Sequence, residues 1–273
     1  MKGKATHVHG VVTTTEQLTP GMVRIVLGGG DLDRLVMPDA TDAYLNAAFR
    51  PPGATYDEVF DPQAVRDSHP QDPQPARRRY TVRAWDPDAH LLTVDFVVHG
   101  DSGVAGPWAA SAKPGDVLVF TGPSGGYRPG PASDWHLLLG DESALPAIAA
   151  SLESLPPGAR AVVRIVCDAP DHEVALPTGP GIDIGWLHRS GGPEDAALLV
   201  DAVRGLEFPA GRPFGFVHGE ADEIRAVRHH LLHDRGLTRA DLSCSPYWRR
   251  TMTDEEWRRV KRDFVAAMEA EES

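Results

Sequence analysis

A stretch rich in glycine and proline, residues 122–133 (GPSGGYRPGPAS), separates two halves of the chain with different hydrophobic patterns. Before it, short apolar runs are divided by turn residues, whereas after it largely apolar runs alternate with segments of helical periodicity. A chain of 273 residues is long enough for two domains of the usual length of about 100–200 residues. We therefore predict two domains, residues 1–130 and residues 131–273.

The first half is typical of β-structure. In residues 92–98 every second side chain is apolar, as in a strand with one buried face. Further short apolar runs begin at Val8, Met22 and Val117, next to turn residues, and this spacing predicts a sandwich or barrel. Residues 50–76 are rich in Pro, Asp and Gln, which predicts a long, partly disordered surface loop.

The second half predicts a doubly wound parallel sheet. Residues 135–139 form an apolar run of the kind found in strands buried on both faces. Similar runs at 161–166, 182–187 and 214–218 alternate with helical segments. A capping box at 253–256 begins a C-terminal helix. The apolar positions of that helix, all expected to be buried, are Trp257, Val260, Phe264 and Met268.

Composition excludes several classes of protein. The formal net charge is −12 and the pI is near 5.4, which argues against general nucleic-acid binding. No segment approaches the ~20 apolar residues that span a bilayer, and the first residues lack the apolar core of a signal peptide. The two cysteines, Cys167 and Cys244, form no CxxC motif. We expect a protein of the reducing cytoplasm without stable membrane association.

Residues 77–85 (RRRYTVRAW) place three arginines beside a tyrosine and a threonine in a predicted strand of this acidic chain. On a strand, Arg78 and Tyr80 project to one face and Thr81 to the other. A flavin needs an aromatic wall for its isoalloxazine ring, a hydrogen-bond partner near its redox-active nitrogen and a cation for its phosphate. These residue types supply all three, since arginine binds phosphate bidentately. The alternative is a solvated strand edge.

Residues 95–109 run from a predicted strand through a glycine turn into a short helix. Pro107 suits the first turn of that helix, and the exposed N–H groups at a helix start attract a pyrophosphate. The alternative is an ordinary strand–turn–helix connection, in which Trp108 belongs to the core. Gly100 and Gly103 alone do not decide between the two.

Residues 139–146 (LGDESALP) follow the first buried strand of the second half and open its first helix. In a doubly wound sheet a ligand binds at this place. The usual G-x-G-x-x-G pattern for dinucleotides is absent. The alternative is an ordinary helix start, capped by Asp141 or Ser143.

Together these segments closely resemble the siderophore-interacting proteins, flavin-dependent ferric-siderophore reductases of the ferredoxin-reductase-like superfamily. The likeness runs over about residues 8–265, and the order and spacing of the motifs carry it. The matching motifs are R-x-Y-T at 78–81, D-F-V-x-H-G-D-x-G-x-A-x-x-W-A at 95–109, G-D-E-[ST]-A-L-P-A-I at 140–148, W-L-H-R-[SG] at 186–190, and Y-W-R-R with T-D-E-x-W at 247–257.

The resemblance implies an N-terminal antiparallel Greek-key β-barrel that binds flavin, followed by a doubly wound parallel α/β nucleotide-binding domain with a C-terminal helix. It implies FAD as cofactor, NADPH or NADH as electron donor, and a ferric siderophore as the small-molecule partner. The flavin itself reduces Fe(III), without further catalytic residues and without a metal site, and Fe(II) is released in the cytoplasm. A monomer or weak homodimer is expected.

The same resemblance implies roles for individual residues. Arg78 holds the FAD phosphates, Tyr80 stacks on the flavin and Thr81 forms a hydrogen bond to it. The other positions implied to line FAD are Val98, His99, Gly100, Gly103, Val104, Ala105 and Trp108. The positions implied to face NAD(P)H are Gly140, Asp141, Ser143 and Ala144.

Two positions depart from the family pattern. Asn46 stands where family members carry a lysine in or near a basic siderophore pocket, and 106–107 (Gly-Pro) replaces a small serine. The candidates for the missing charge in a siderophore site are Arg50, Arg128, Arg249 and Arg250. Asn46 also keeps two alternatives open: a flavin reductase with another electron acceptor, and a siderophore-binding protein without redox activity.

A third alternative comes from residues 122–126, which fit the G-x-S-x-G nucleophile elbow of α/β-hydrolases. An elbow continues directly into a helix. Pro129 and Pro131 prevent a helix there, so we reject this interpretation.

The sequence leaves the choice between NADH and NADPH open. Asp168 follows the predicted strand that ends at Cys167. An acidic residue at this point of a doubly wound sheet favours a free ribose hydroxyl, and so NADH, but the resembling family binds the adenosine end variably.

Overall fold

The computed structural model describes residues 7–100, 103–130 and 132–271. The chain forms two compact units, residues 1–126 and 127–273, so the division lies slightly before residue 130. Within the described residues, no helix is long and apolar enough to cross a membrane.

The first unit is a closed barrel of six strands, and all neighbouring strands are antiparallel. The strands are β1 (Val8–Thr19), β2 (Met22–Gly28), β3 (Tyr44–Phe49), β4 (Ala76–Asp86), β5 (Leu91–Val97) and β6 (Val117–Ser124). Their order around the barrel is β1-β2-β5-β4-β3-β6, which confirms the predicted β-barrel. The alternating residues Leu92, Val94 and Phe96 of β5 fill its interior and are fully buried.

Residues 50–75 form the long loop that was predicted here. The loop is packed as a cover on the barrel, which corrects the expectation of partial disorder. The segment contains the short helix α1 (Val65–Ser68). Its apolar side chains form a second small core against β3 and β6, which consists of Ala48, Ala54, Tyr56, Phe60, Val65 and Val119. These residues are spaced irregularly among polar ones, and therefore give no periodicity that sequence reasoning could detect.

The second unit is a parallel sheet of five strands in the order β11-β10-β7-β8-β9. The strands are β7 (Trp135–Asp141), β8 (Ala161–Cys167), β9 (Ile182–His188), β10 (Pro213–Glu220) and β11 (Leu242–Trp248). The helices of the two units, in chain order after α1, are α2 (Ala105–Ser111), α3 (Leu145–Ser154), α4 (Leu198–Arg204), α5 (Ala221–His233) and α6 (Asp254–Ala270). This confirms the predicted α/β sheet. The chain reverses its direction of strand addition between β7 and β10, which creates a switch point there.

The C-terminal helix α6 begins as predicted. Thr253 accepts a hydrogen bond from the Glu256 backbone, and the Glu256 carboxylate accepts one from the Thr253 backbone. Of the positions expected to be buried, Trp257, Phe264 and Met268 are buried. Val260 is 38% exposed, so the prediction that it is buried is wrong. The buried face of α6 is narrower than the apolar stripe of its sequence.

Candidate functional site

Arg78, Tyr80 and Thr81 lie on β4, and the strand register fixes the side of the sheet to which each belongs. Tyr80 pairs with Leu45, which is part of the barrel interior, whereas Thr81 pairs with Tyr44. Since paired residues share one face of a sheet, Tyr80 and Arg78 share the inward face and Thr81 the outward face. Arg78 and Tyr80 both remain partly exposed, so a ligand can reach the guanidinium and the ring.

The aromatic wall of this region contains several packed rings. The ring of Tyr80 lies 4.3 Å from that of Phe96, which lies 5.6 Å from the ring of Trp108. Val98 and Val104 pack against the same cluster, and like Tyr80 and Trp108 they are only partly buried. The folded barrel therefore brings the strand 78–81 and the segment 95–109 together. Partly exposed rings beside an arginine fit a flavin with its phosphates.

The glycine turn after β5 has a backbone that requires glycine. Gly100 has a φ of 54° and Gly103 a φ of 81°, in the left-handed region that side chains disfavour. A Cβ at either position would meet nothing within 4 Å, so the conformation selects glycine and the space beside the turn is open. His99 precedes the turn and is exposed, and Ala105 begins the seven-residue α2. Asp101 and Ser102 lie outside the described residues.

Asp95, the first residue of the same motif, has a structural role that the sequence does not reveal. Its carboxylate accepts hydrogen bonds from Arg24 Nε at 2.7 Å and Nη2 at 2.8 Å. The two residues face each other across β2 and β5, and Asp95 is only 4% exposed. The bidentate pair fixes β5, from which the glycine turn starts.

At the carboxyl edge of the parallel sheet, Gly140 of β7 allows close contact with β10 and with the start of α3. A Cβ at this position would lie 2.4 Å from the His218 carbonyl oxygen of β10 and 2.6 Å from the Ala144 Cβ. Only glycine permits this approach. Of the residues implied to face NAD(P)H, Ser143 keeps exposed surface, whereas Gly140, Asp141 and Ala144 are buried.

The Asp141 carboxylate is the centre of this edge. Its Oδ1 accepts hydrogen bonds from the backbone N and the Oγ of Ser143, at 2.8 and 2.5 Å. Its Oδ2 accepts from the backbone N of Glu220 and from Trp248 Nε1, both at 2.8 Å. Asp141 therefore ties the start of α3 to the ends of β10 and β11. It does not cap α3 through its side chain, because the N-cap residue is Ala144.

A second carboxylate at the edge, Glu142, is held by Arg189 at the end of β9. Arg189 Nη1 and Nη2 donate to the two oxygens of Glu142 at 2.5 and 2.9 Å, and Nη1 also donates to Asp168 at 2.7 Å. The side chains of Glu142 and Arg189 are 9% and 12% exposed. Burial opposes the charge of Arg189, but these bonds outweigh it and raise the pKa of its guanidinium.

A third group of charges joins the end of β11 to the start of α5. Glu220 caps α5 by accepting from the backbone N of Asp222 and Glu223, and it also accepts from the backbone N of Arg250. The Arg250 guanidinium donates to Glu223 at 2.6 Å. Burial, and next the charge of Asp141, raise the pKa of Glu223 to about 8. The motifs at 140–148, 186–190 and 247–250 thus converge on one edge of the sheet.

Glu223 is expected to make stability depend on pH. Its carboxyl titrates at 4.5 in a free side chain and at about 8 in the fold, so between these values the folded protein binds more protons than the unfolded chain. The free energy of unfolding therefore falls as pH rises through this window, by at most about 1.4 kcal/mol per pH unit for one group. Urea unfolding between pH 5 and about 8 measures this slope.

The variant Glu223→Gln should flatten that profile, since it removes the titrating group. Glu269→Gln is the matched control, because Glu269 is exposed on α6, and it should keep the slope of the parent protein. A slope that Glu223→Gln leaves unchanged would contradict the prediction.

The four arginines named as candidates for a siderophore site differ in their hydrogen bonds and exposure. Arg50 donates to the backbone oxygens of Tyr56 and Ala54, so it holds the barrel cover. Arg249 pairs with Asp222 at 3.2 Å and Arg250 with Glu223. Arg128 is exposed and lies two residues after Gly126, the last residue of the first unit.

Sequence reasoning missed Arg79 as a candidate. It is exposed on β4, directly opposite Asn46 of β3, and its guanidinium lies 5.5 Å from the ring centre of Tyr44. The signal was present, since Arg79 is one of the three consecutive arginines, but the register that pairs it with Asn46 requires the folded barrel.

The G-x-S-x-G segment is part of the barrel. Gly122 and Ser124 lie in β6, which pairs antiparallel with β3. Residues 125–130 after the strand are not helical. Ser124 therefore does not occupy the strand-to-helix turn that a nucleophile elbow requires.

Comparisons with known protein families match both units. A family model described as a siderophore-interacting FAD-binding domain matches residues 11–127. A second, described as a siderophore-interacting protein, matches residues 133–251. Together the two matches span most of the chain.

Individual relatives agree with these matches. An uncharacterized protein of Mycobacterium tuberculosis is 40% identical over 98% of both chains. The ferric vibriobactin reductase ViuB of Vibrio cholerae is 36% identical over 67% of this chain and 68% of its own. The NADPH-dependent ferric-chelate reductase of Escherichia coli is 32% identical over 78% and 82%. Among solved structures, a siderophore utilization protein from T. fusca is 36% identical, with a TM-score of 0.77 over 92% of this chain and 95% of that one.

Proposed function

The chain belongs to the siderophore-interacting protein family, and on that premise we propose that it is an FAD-dependent enzyme that uses NAD(P)H to reduce Fe(III) held by a siderophore. The observation that carries the proposal is the convergence of its motifs in two places. The segments 78–81 and 95–109 share one cluster in the barrel, and the segments 140–148, 186–190 and 247–250 share one edge of the parallel sheet. In this proposal the iron is released in the cytoplasm.

The barrel residues hold and support FAD in this proposal. Bound FAD would supply the conversion of a hydride from NAD(P)H into two single electrons for two Fe(III) ions, with the release of one proton. Arg78 binds the phosphates, and Thr81 offers its hydroxyl to the flavin. Tyr80 supports the isoalloxazine ring, and its own position is fixed from behind by Phe96.

The second domain binds NAD(P)H at the carboxyl edge of its sheet, beside the switch point between β7 and β10. Gly140 and Ala144 shape the edge by close packing. Asp141 acts indirectly, since among the described residues its carboxylate bonds to Ser143, Glu220 and Trp248 and holds the surrounding backbone in place. Ser143 is the member with exposed surface for contact with the nucleotide.

Reduction explains iron release without acid–base residues. A siderophore holds Fe(III) through hard oxygen ligands, and the attraction grows with the charge of the ion. Fe(II) carries one charge less, so the same ligands hold it more weakly. The protein has to bring the ferric siderophore to the flavin and bind both.

The visible spectrum of the full chain loaded with FAD tests the proposal. Under anaerobic conditions NADH or NADPH should bleach the flavin band, and a ferric siderophore should restore it while Fe(II) appears in a ferrozine assay. Bleaching without recovery would overturn siderophore reduction and leave a flavin reductase with another acceptor. Failure to bind FAD would overturn the enzyme and favour the binding protein without redox activity.

Arg79 provides a positive charge at the place where the family pattern has a lysine. Asn46 lies between Arg79 of β4 and Thr121 of β6, on the outward face of β3, because its neighbours Leu45 and Ala47 belong to the interior. We propose that the exposed Arg79 attracts anionic ferric siderophores in place of that lysine.

The variant Arg79→Ala should raise the KM for an anionic ferric siderophore about fivefold, which corresponds to the loss of about 1 kcal/mol. Anaerobic reduction of the flavin by NAD(P)H should stay within about twofold, since this step does not involve the siderophore. Arg66→Ala is the control, because Arg66 is also exposed on the first unit. An unchanged KM, or an equal rise in Arg66→Ala, would contradict the role of Arg79.

A further inference from the structure

Two histidines lie one helical turn apart at the end of α5. His229 and His233 are four residues apart, and no other two histidines of the sequence have this spacing. Side chains four residues apart on a helix are neighbours on one face, and these two ring centres lie 4.3 Å apart. Since α5 starts at the carboxyl edge of the sheet and rises about 1.5 Å per residue, the pair lies about 12–18 Å along the helix from that edge.

The ring nitrogens of this pair are available to a ligand. His229 and His233 are both exposed, and neither ring forms a hydrogen bond to another described residue. The neighbouring His230 differs, because it is buried and both of its ring nitrogens have partners. Its Nδ1 bonds to Asp234 at 2.7 Å, and its Nε2 accepts from Arg235 Nε at 3.1 Å.

The spacing of the two rings suits a metal ion. Imidazole nitrogens bind Zn²⁺ at about 2.0–2.1 Å, so a tetrahedral ion holds two of them about 3.3 Å apart. Rings with centres 4.3 Å apart reach that separation by small side-chain rotations. Metalloprotease helices use the same spacing of two histidines for zinc.

The protein supplies two ligands at this place. Among the described residues, no group of three or more His, Cys, Asp or Glu is arranged to hold a metal ion. Water therefore completes the coordination, and the ion remains exchangeable with the solvent.

The local electrostatic field favours a cation. His233 is the last residue of α5, and the carboxyl end of a helix carries a partial negative charge. Asp234 follows it with a side chain that is 59% exposed, close enough for its charge to interact with His229. Arg225, one turn before His229, donates to both carboxylate oxygens of Glu271, which compensate its positive charge.

The ligand type selects the cation. Imidazole suits zinc and copper, whereas Mg²⁺ and Ca²⁺ prefer oxygen ligands. Fe²⁺ binds nitrogen ligands more weakly than Zn²⁺ does, so the pair should not retain the Fe(II) that the proposed reaction releases.

We propose that His229 and His233 bind one Zn²⁺ ion at a surface site separate from the flavin and nucleotide sites, and that the ion stabilises the end of α5. The inference goes beyond the proposed reaction, because neither the flavin nor the siderophore takes part in it. Binding to the folded helix stabilises that helix, since the unfolded chain does not hold the two rings together.

Titration of the full chain with Zn²⁺, followed by calorimetry, tests the site on protein produced without a polyhistidine tag. One ion per chain should bind, and His229→Gln or His233→Gln should each weaken its affinity at least about tenfold, which corresponds to about 1.4 kcal/mol. His90→Asn is the matched control. His90 is also exposed, and its positive φ of 51° is one that asparagine tolerates, so this variant should keep the affinity of the parent protein.

Two further measurements identify the ligands. With Cu²⁺ in place of Zn²⁺, electron paramagnetic resonance should show two coordinated imidazole nitrogens in the parent protein and one in each single variant. Hydrogen exchange read by mass spectrometry should slow on addition of Zn²⁺ in peptides that cover the end of α5, but not in His233→Gln.

Three results would overturn the inference: no binding of one equivalent of Zn²⁺, an affinity that the two variants lower no more than His90→Asn does, or exchange in α5 that Zn²⁺ leaves unchanged. Circular dichroism should show that the variants are folded, because both histidines are exposed. None of these measurements involves FAD or electron transfer, so failure of this site leaves the proposed function intact, and failure of the proposed function leaves this site intact.

Discussion

Tyr80→Ala is expected to weaken FAD binding about tenfold or more, because stacking of an aromatic side chain on a flat heteroaromatic ring contributes about 1–3 kcal/mol. In the folded barrel the ring of Tyr80 is partly exposed and rests on Phe96 at 4.3 Å. The measurement is titration of the apoprotein with FAD, in which quenching of the flavin fluorescence reports binding.

Two variants separate stacking from folding. Tyr80→Phe keeps the ring and should keep FAD affinity within about threefold, which corresponds to less than about 1 kcal/mol. Trp85→Ala removes a partly exposed aromatic ring from the same strand, five residues further along, and should affect FAD binding little. Unchanged affinity in a folded Tyr80→Ala protein would remove Tyr80 from the flavin site.

Arg189→Met is expected to destabilise the second domain by about 3–5 kcal/mol, because it leaves the Glu142 carboxylate buried and uncompensated. The pair is bidentate, and its side chains are only 9% and 12% exposed. Hydrogen exchange read by mass spectrometry should show the loss in peptides from β7 to β9, with peptides from the barrel as an internal reference.

The control for this loss is Arg204→Met, whose pair with Asp201 has side chains 57% and 63% exposed. Such surface pairs contribute about 0–1 kcal/mol, so exchange should change little. The double variant Arg189→Met with Glu142→Met should regain most of the lost stability, since no unpaired charge remains. If Arg189→Met were as stable as Arg204→Met, the prediction would be wrong, and Glu142 would be solvated or protonated without its partner.

The sequence predicts those features that depend on local pattern. The reciprocal bonds of Thr253 and Glu256 need only residues three apart, and the buried strands of the parallel sheet are largely apolar in sequence. The motif R-x-Y-T also predicts the opposite faces of Tyr80 and Thr81, because side chains alternate along any strand.

The rest depends on partners distant in the sequence. Asp141 obtains donors from Glu220 and Trp248, which lie 79 and 107 residues further along the chain. The strand β11 was not predicted, because its sequence, LSCSPYW, contains two serines and a proline instead of an apolar run. Its pairing with β10 supplies the stability that its own composition lacks. Likewise, Arg79 is identified as a candidate only by the strand register, which places it opposite Asn46.

The long separation between Asp141 and Trp248 has a consequence for biogenesis. A ribosome that adds about 5–20 residues per second needs about 5–20 s to synthesise the 107 residues between them. All six strands of the barrel are complete once Ser124 has been made, before the first strand of the parallel sheet exists. The barrel of the nascent chain can therefore close before Trp248 is available to donate to the Asp141 carboxylate. The carboxyl edge of the parallel sheet is among the last parts of the molecule to form.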